Sequence, residues 1–164
     1  MSNKIIFKDD LRDFFKKTGL FHRDDGPAYI IYRKDGLVSA EYYYKNGEQH
    51  REDGPAFTEY SNDGNIISEC YFIKGKQHRD EAPAHLIYYN NIVETERYYM
   101  AGKLHRVGGP AFTSYFENKK ISIEKFFMDG ILHRDDGPAY IRYDENGEVI
   151  CEEYFINGEA VYNV

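Results

Sequence analysis

Five variants of the motif His-Arg-x-x-Gly-Pro-Ala, called the box below, hold the residue types best suited to chemistry in this chain, and the third has Ala82 in place of the glycine. The boxes begin at residues 22, 50, 78, 105 and 133, so they are spaced 28, 28, 27 and 28 residues apart. Each box has an imidazole and a guanidinium, and four of the five also have two carboxylates. Acid–base catalysis, nucleophilic catalysis and metal binding are therefore the chemistries to weigh.

Catalysis is the weaker interpretation of the boxes. His-Arg-Asp at 22, 78 and 133 is also found in the kinase catalytic loop, but no Gly-rich loop or Asp-Phe-Gly accompanies it. A catalytic triad needs one nucleophile and one base, whereas this constellation occurs five times with no recurring Ser or Cys beside it. We therefore predict no enzyme.

A structural role is predicted for the box residues instead. The Arg should bridge a turn acid or a strand glutamate, and the His should hydrogen-bond backbone at a turn. This structural role is assigned to His22, Arg23, His50, Arg51, His78, Arg79, His105, Arg106, His133 and Arg134.

Metal binding by the box histidines is disfavoured by their expected separation. If each repeat is a hairpin, equivalent atoms of successive repeats lie two strand spacings apart, about 9.5 Å. Zinc ligands need bonds of about 2 Å, so successive histidines cannot share one ion. No metal and no cofactor are expected.

The residues between the boxes predict strands and tight turns. Asp35-Gly36 and Asn46-Gly47 are hairpin signals, because Asp, Asn and Gly tolerate positive φ. The box proline lacks an N–H and belongs at the entrance of a strand. A period in this range indicates a supersecondary unit stacked on itself. The predicted fold is all-β: about five antiparallel hairpins of 28-residue units over residues 20–164, in a meandering sheet or a solenoid.

Residues 1–19 do not follow the strand pattern. Leu11, Phe14 and Phe15 fall on one helical face, acids precede them, lysines follow and Gly19 closes the segment. This pattern predicts a short N-terminal capping helix that protects the first strand edge. The alternative is a degenerate half-repeat in which Phe14-Phe15 continues the aromatic columns of the other repeats.

Aromatic and acidic columns recur in every repeat. An aromatic pair precedes the second turn, and a glutamate stands two residues ahead of each pair. Adjacent strand residues point to opposite faces, so one ring of each pair lies on each side of the sheet. One of the two sheet faces packs on the core, and the row of rings on the other face, called the second ladder, is either covered or open to a partner. The candidate partner-binding residues are Tyr43, Tyr44, Tyr71, Phe72, Tyr98, Tyr99, Phe126, Phe127, Glu41, Glu69, Glu96 and Glu124.

Charge and composition narrow the expected partners and location. The net charge is −7 and the pI about 5.4, which disfavours direct binding to nucleic acid or anionic membrane. The two cysteines occupy different repeat positions, so no disulfide framework is expected. The N-terminus lacks the apolar core of a secretory signal, and no apolar run is long enough to span a bilayer. A cytoplasmic protein is expected, in the host cytoplasm if the source is viral.

Three phrases, at 143–147, 152–158 and 43–50, carry Tyr, Gly and His at a spacing that resembles the MORN repeat in its shorter bacterial and viral variants. The resemblance covers about residues 14–164. It implies a meandering antiparallel sheet of stacked hairpins, sometimes dimeric, that works as an adaptor or scaffold. Box-containing repeats also look like those of phage, giant-virus and bacterial proteins.

The leading functional hypothesis is a non-catalytic interaction module that presents aromatic and charged ladders to a protein partner. Two alternatives stay open. One is a phage- or virus-encoded inhibitor of a host defence protein, acting as an acidic mimic of nucleic acid. The other is an antitoxin-like binder. A homodimer is compatible with each of them.

Overall fold

The computed structural model describes residues 4–6, by their backbone, and residues 19–162. Every regular element in these ranges is a β-strand, and all the strand pairs described below are antiparallel. The all-β prediction is thereby confirmed for this part of the chain. The strands fall into two compact units, Met1–Gln77 and His78–Val164, and each unit is described by itself.

The first unit has a five-strand sheet and two small hairpins. The sheet strands, in spatial order, are β1 (Lys4–Ile6), β2 (Tyr29–Tyr32), β3 (Val38–Tyr42), β6 (Phe57–Tyr60) and β7 (Ile66–Cys70). The small hairpins pair β4 (Tyr44–Lys45) with β5 (Glu48–Gln49), and β8 (Phe72–Ile73) with β9 (Lys76–Gln77).

The second unit repeats this plan. Its sheet strands, in spatial order, are β10 (His85–Tyr89), β11 (Ile92–Arg97), β14 (Phe112–Tyr115), β15 (Ile121–Lys125), β18 (Tyr140–Tyr143) and β19 (Val149–Ile156), and the end of β19 pairs with β20 (Glu159–Val161). The small hairpins pair β12 (Tyr99–Met100) with β13 (Lys103–Leu104), and β16 (Phe127–Met128) with β17 (Ile131–Leu132).

Each repeat therefore contains a sheet hairpin, a small second hairpin and the box. The sequence pattern marked Asn46-Gly47 as a hairpin signal but predicted only one hairpin in each repeat. In the structure, Asn46 and Gly47 both have positive φ, 52° and 85°, as the type I′ turn of a two-residue hairpin loop requires. The turn thus opens a separate hairpin whose strands are two residues long.

The third repeat is one residue shorter because of its sheet hairpin. Tyr89 and Ile92 pair directly across a loop formed by Asn90 and Asn91, whose φ angles are 50° and 60°. Asn tolerates the left-handed region better than other non-glycine residues. This two-residue turn accounts for the spacing of 27 residues between the third and fourth boxes.

The fully buried positions of the described residues are filled by small side chains. The box alanines have relative exposures of 0–1%, and no large side chain in this part of the chain falls below 2%. The box alanines are Ala28, Ala56, Ala84, Ala111 and Ala139. In each unit, half-buried rings therefore pack around small buried alanines, and no large side chain fills a closed core.

On one face of each sheet, directly paired residues form a row across the strands. In the first unit, Tyr42 packs between Tyr29 and Phe57, with its ring centroid 5.2 and 4.8 Å from theirs. In the second unit cations alternate with rings, and Lys125 Nζ lies 5.2 Å from the Phe112 centroid and 5.4 Å from that of Tyr140. Cross-strand contacts of this kind stabilise a sheet.

His85 begins the row in the second unit. Burial, with Arg97 beside the ring, lowers the pKa of His85 to about 4. The imidazole is therefore neutral at physiological pH and packs as an aromatic ring.

The predicted N-terminal cap covers residues 1–19, and its helical segment lies outside the described residues, as does Phe14-Phe15. Within this range the structure describes β1, whose Ile6 pairs with Ile30 of β2.

Candidate functional site

The boxes form the connections that lead into the first strand of each sheet hairpin. The alanine N–H of four boxes donates to a backbone carbonyl of the neighbouring sheet strand, for example from Ala56 to Cys70 at 2.9 Å. The proline stands one residue earlier, where no N–H is needed for pairing. The buried alanine packs against the sheet and thereby holds each box in place.

The box arginine folds back over its own box and also covers a ring. In all five boxes Nη1 donates to the proline carbonyl, at 3.3–3.4 Å. Arg51, Arg106 and Arg134 place Cζ 4.0, 3.8 and 4.0 Å from the centroids of the first rings of the aromatic pairs. These rings belong to Tyr43, Tyr98 and Phe126. The guanidinium is therefore engaged within the fold on two sides.

Three of these arginines also bind an acid of their own box. Nε donates to Asp25, Asp53 and Asp136 at 2.6, 2.8 and 2.8 Å. The hydrogen bond from the arginine lowers the pKa of the Asp53 and Asp136 carboxyls. The acid side chains are 83% exposed, so these ion pairs add little to stability.

The box glycine makes room for the arginine. A Cβ built on Gly137 would lie 3.2 Å from Arg134 Cζ, and this glycine does not have positive φ. The third box has Ala82 instead, and its Arg79 still donates to Pro83 O at 3.3 Å. The requirement is therefore space beside a flexible side chain rather than an unusual backbone conformation.

This distinction gives a testable difference between two glycines of one repeat. Gly137→Ala is expected to change the free energy of unfolding by less than about 0.5 kcal/mol, because the arginine end can shift. Gly130→Ala, at φ 85°, is expected to cost about 1 kcal/mol, because alanine is strained there. Urea denaturation followed by circular dichroism measures both. Equal costs would contradict this explanation.

The box histidine accepts a hydrogen bond from the turn of the adjacent small hairpin. Its Nδ1 receives the backbone N–H of the first positive-φ residue of that turn. The donors are Asn46, Lys74, Ala101, Asp129 and Asn157, at 3.0–3.4 Å. Because Nδ1 accepts, the neutral ring carries its proton on Nε2, which faces the acid two residues on in four boxes, at 3.1–3.4 Å. The histidine thus ties each small hairpin to its box.

The strand glutamates accept hydrogen bonds from tyrosines of the next repeat. The Tyr60, Tyr115 and Tyr143 hydroxyls donate to Glu41, Glu96 and Glu124 at 2.9, 3.1 and 2.7 Å. Burial, together with the adjacent carboxylate, raises the pKa of each of these phenols to about 12. The predicted partner-binding glutamates Glu41, Glu96 and Glu124 are thus half-buried acceptors, and Glu69 is half-buried as well.

The raised phenol pKa values predict a loss of stability at alkaline pH. Between pH 10, where tyrosines of the unfolded chain ionise, and about 12, the folded state holds protons that the unfolded state has lost. The free energy of unfolding should therefore fall as pH rises through this window. The combined variant Tyr60→Phe, Tyr115→Phe and Tyr143→Phe should show a shallower fall in denaturation experiments at graded pH. The exposed Tyr89 supplies the control, Tyr89→Phe, and an equally shallow fall for that variant would contradict the assignment.

The aromatic pairs, for which the strand pattern left both a covered and an open arrangement, are partly covered. All ten pair residues are half-buried. The first ring of a pair lies at the junction between sheet strand and small hairpin, where Tyr43 N–H donates to Ala56 O at 2.8 Å. The second ring begins the small hairpin, and Tyr44 packs 5.3 Å from Phe21. Neither ladder is a flat exposed strip.

Grooves lie between consecutive boxes and bring several predicted residues together. They run between the first and second boxes, the third and fourth, and the fourth and fifth, with volumes of about 550, 650 and 400 Å³. Their walls are box arginines and the aromatic residues Tyr43, Tyr98, Tyr99, Phe126 and Phe127. None of the strand glutamates lines these three grooves.

Carboxylates dominate the rims of these grooves. Asp24, Glu52, Asp80 and Asp135 have side chains that are 76%, 82%, 90% and 82% exposed. The arginine charges lie lower, against rings and proline carbonyls. The rims therefore present negative charge to an incoming ligand. The rim carboxylates can be predicted from the acids of the box sequence. The grooves cannot, because they depend on how the small hairpins pack beside the boxes.

Two other kinds of site, a metal centre and a membrane-spanning helix, have no counterpart among the described residues. No group of three or more His, Cys, Asp or Glu residues in this part of the chain has the geometry to hold a metal ion. Nor do the described residues include a helix with the length and hydropathy needed to cross a membrane.

Comparison of the chain with protein-family models, with curated proteins and with solved structures finds no match.

Proposed function

We propose that this protein is a non-catalytic binding module that holds a cationic polypeptide in the grooves between its boxes. The observation that carries the proposal is the recurrence of one groove type at three places, each with aromatic walls and at least one exposed carboxylate on the rim. A repeated groove favours an extended ligand that contacts successive repeats in the same way.

The charge distribution supports a basic partner. The chain carries a net charge of −7, and the box arginines are engaged within the fold. Positive side chains of a partner would therefore meet rim carboxylates without displacing a box arginine from its ring. Charge complementarity of this kind raises association rates and selects against acidic competitors.

The internal contacts of the box favour binding over catalysis. A general base must reach a substrate proton, but each box histidine already uses Nδ1 to accept a backbone N–H. The resemblance of the flanking phrases to MORN repeats supports the same proposal, since that family supplies adaptors and scaffolds. A cytoplasmic partner fits this role.

The test measures binding of fluorescein-labelled oligolysine by anisotropy, with oligoglutamate as the control ligand. The unchanged protein is expected to bind only oligolysine. The double variant Asp80→Asn and Asp135→Asn is expected to weaken binding about tenfold, because both carboxylates lie on groove rims. The control variant Glu145→Gln and Glu148→Gln changes the charge equally at an exposed sheet-hairpin tip and should weaken binding less than about twofold.

Two results would overturn the proposal. One is no binding of oligolysine by the unchanged protein. The other is an equal loss in the groove variant and the tip variant, which would assign the affinity to net charge rather than to the grooves.

A further inference from the structure

The fourth box interrupts the acidic rims of the second unit with apolar side chains. Where the other boxes have two acids, this box has Val107-Gly108. Val107 is 79% exposed, and it lines both grooves of the unit. Met100 lines one groove and Met128 the other, with exposures of 51% and 43%.

The two grooves therefore form one track with three zones. Asp80 lies at the third box, Val107 at the fourth, and Asp135 at the fifth. The zones are acidic, apolar and acidic. A ligand that matches them has a cation, an apolar group and a second cation in that order, because a charge placed over Val107 would be desolvated without a partner.

The spacing of the zones selects a backbone conformation for the ligand. Successive boxes are two strands apart, about 9.5 Å, so the outer zones are about 19 Å apart. A polyproline II helix has three residues per turn and a rise of 3.1 Å, and it repeats the same face every 9.3 Å or so. Over two repeats, the positions of its side chains differ from those of the zones by less than about 1 Å.

Other regular conformations match less well. Side chains of a β-strand alternate between faces, so residues three apart point in opposite directions. An α-helix returns to the same face after about seven residues, which span about 10.5 Å. Its mismatch grows to about 2 Å over two repeats.

We propose that the second unit binds a polyproline II segment in which a basic, an apolar and a basic residue stand three positions apart. This inference rests on the proposed function and names the partner class for the same grooves. The basic residues meet Asp80 and Asp135, and the apolar residue meets Val107, Met100 and Met128. Proline at the intervening positions pre-forms the segment and reduces the entropy lost on binding.

The test compares four peptides that carry the same three recognition residues, two arginines and one leucine. The matched peptide contains Arg-Pro-Pro-Leu-Pro-Pro-Arg between proline flanks, and the order-swapped peptide contains Leu-Pro-Pro-Arg-Pro-Pro-Arg. A third peptide replaces every proline by glycine, and a fourth is an alanine-based helix with Arg, Leu and Arg seven residues apart. Isothermal titration at fixed ionic strength should show the matched peptide binding at least about tenfold more tightly than each of the others.

One substitution should reverse the preference. Val107→Asp supplies the acid that the other boxes have at this position, and Val107 is exposed enough to tolerate the change. The variant should weaken the matched peptide about tenfold and strengthen Arg-Pro-Pro-Arg-Pro-Pro-Arg by a similar factor. Val149→Asp adds the same charge at another exposed valine, which lines neither groove, and should leave the order of the peptides unchanged.

The outcomes separate the two proposals. If all basic peptides bind equally, the basic-partner proposal stands and the ordered polyproline II segment is wrong. If the helical peptide binds most tightly, the grooves remain the binding surface and the ligand conformation is wrong. If neither oligolysine nor any of the peptides binds, both proposals are wrong.

Discussion

Ala111→Leu is expected to lower the free energy of unfolding by about 3 kcal/mol, the upper part of the usual range for overpacking. Ala111 has a relative exposure of 0%, and its N-terminal neighbour Pro110 accepts the Arg106 hydrogen bond at 3.3 Å. Three added carbons cannot be placed there without moving the box away from the sheet. Urea denaturation followed by circular dichroism measures the loss.

Ala160→Leu is the matched control for that substitution. Ala160 lies in β20 and is exposed, whereas Ala111 stands directly before β14 and is buried. The same added carbons should change stability there by less than about 0.5 kcal/mol. If the two leucine variants are equally stable, burial of the box alanine does not constrain the packing.

Arg134→Met is expected to cost about 2 kcal/mol, mainly through the loss of a charged donor to a carbonyl. The substitution keeps the apolar stem but removes the bond to Pro138 O at 3.3 Å and the contact 4.0 Å above the Phe126 ring. It also removes the ion pair with Asp136 at 2.8 Å. Urea denaturation measures the sum of these losses.

Arg106→Met separates the ion pair from the other contacts. Arg106 has the same bond to a proline carbonyl at 3.3 Å and a ring 3.8 Å away, but its box has no acids. The two methionine variants should therefore lose nearly the same stability, because an exposed ion pair contributes little. A much larger cost for Arg134→Met would show that the box acids, rather than the ring and carbonyl, hold the arginine.

Much of the fold could be predicted because its signals are local. Asp-Gly and Asn-Gly turns, the proline before each first strand and the spacing of 28 residues are read from neighbouring residues. The small hairpins were missed because strands of two residues, such as Tyr44–Lys45, are too short to have a periodicity. Asn46-Gly47 signals a tight turn, and both residues have positive φ, but the dipeptide does not show that two-residue strands pair on either side of it.

The candidate site was harder to predict because its contacts join different repeats. Glu96 was proposed as a partner-binding residue, yet it accepts the Tyr115 hydroxyl from 19 residues away. That contact depends on the pairing of Glu96 with Thr113, which places Tyr115 on the same face two residues further along its strand. The recurring glutamates and tyrosines can both be seen in the sequence, but the strand register that brings Glu96 and Tyr115 together cannot.

By itself, the sequence determined the period, the strand class and the positions of the turns, because these depend on backbone preferences of adjacent residues. Tertiary structure alone decided which side chains remain available to a ligand. Hydrogen bonds and ring contacts between repeats occupy the glutamates and arginines, and the docking of small hairpins opens grooves between the boxes. These contacts depend on distances across the sheet, and residues some 20 positions apart acquire such distances only when the strands pair.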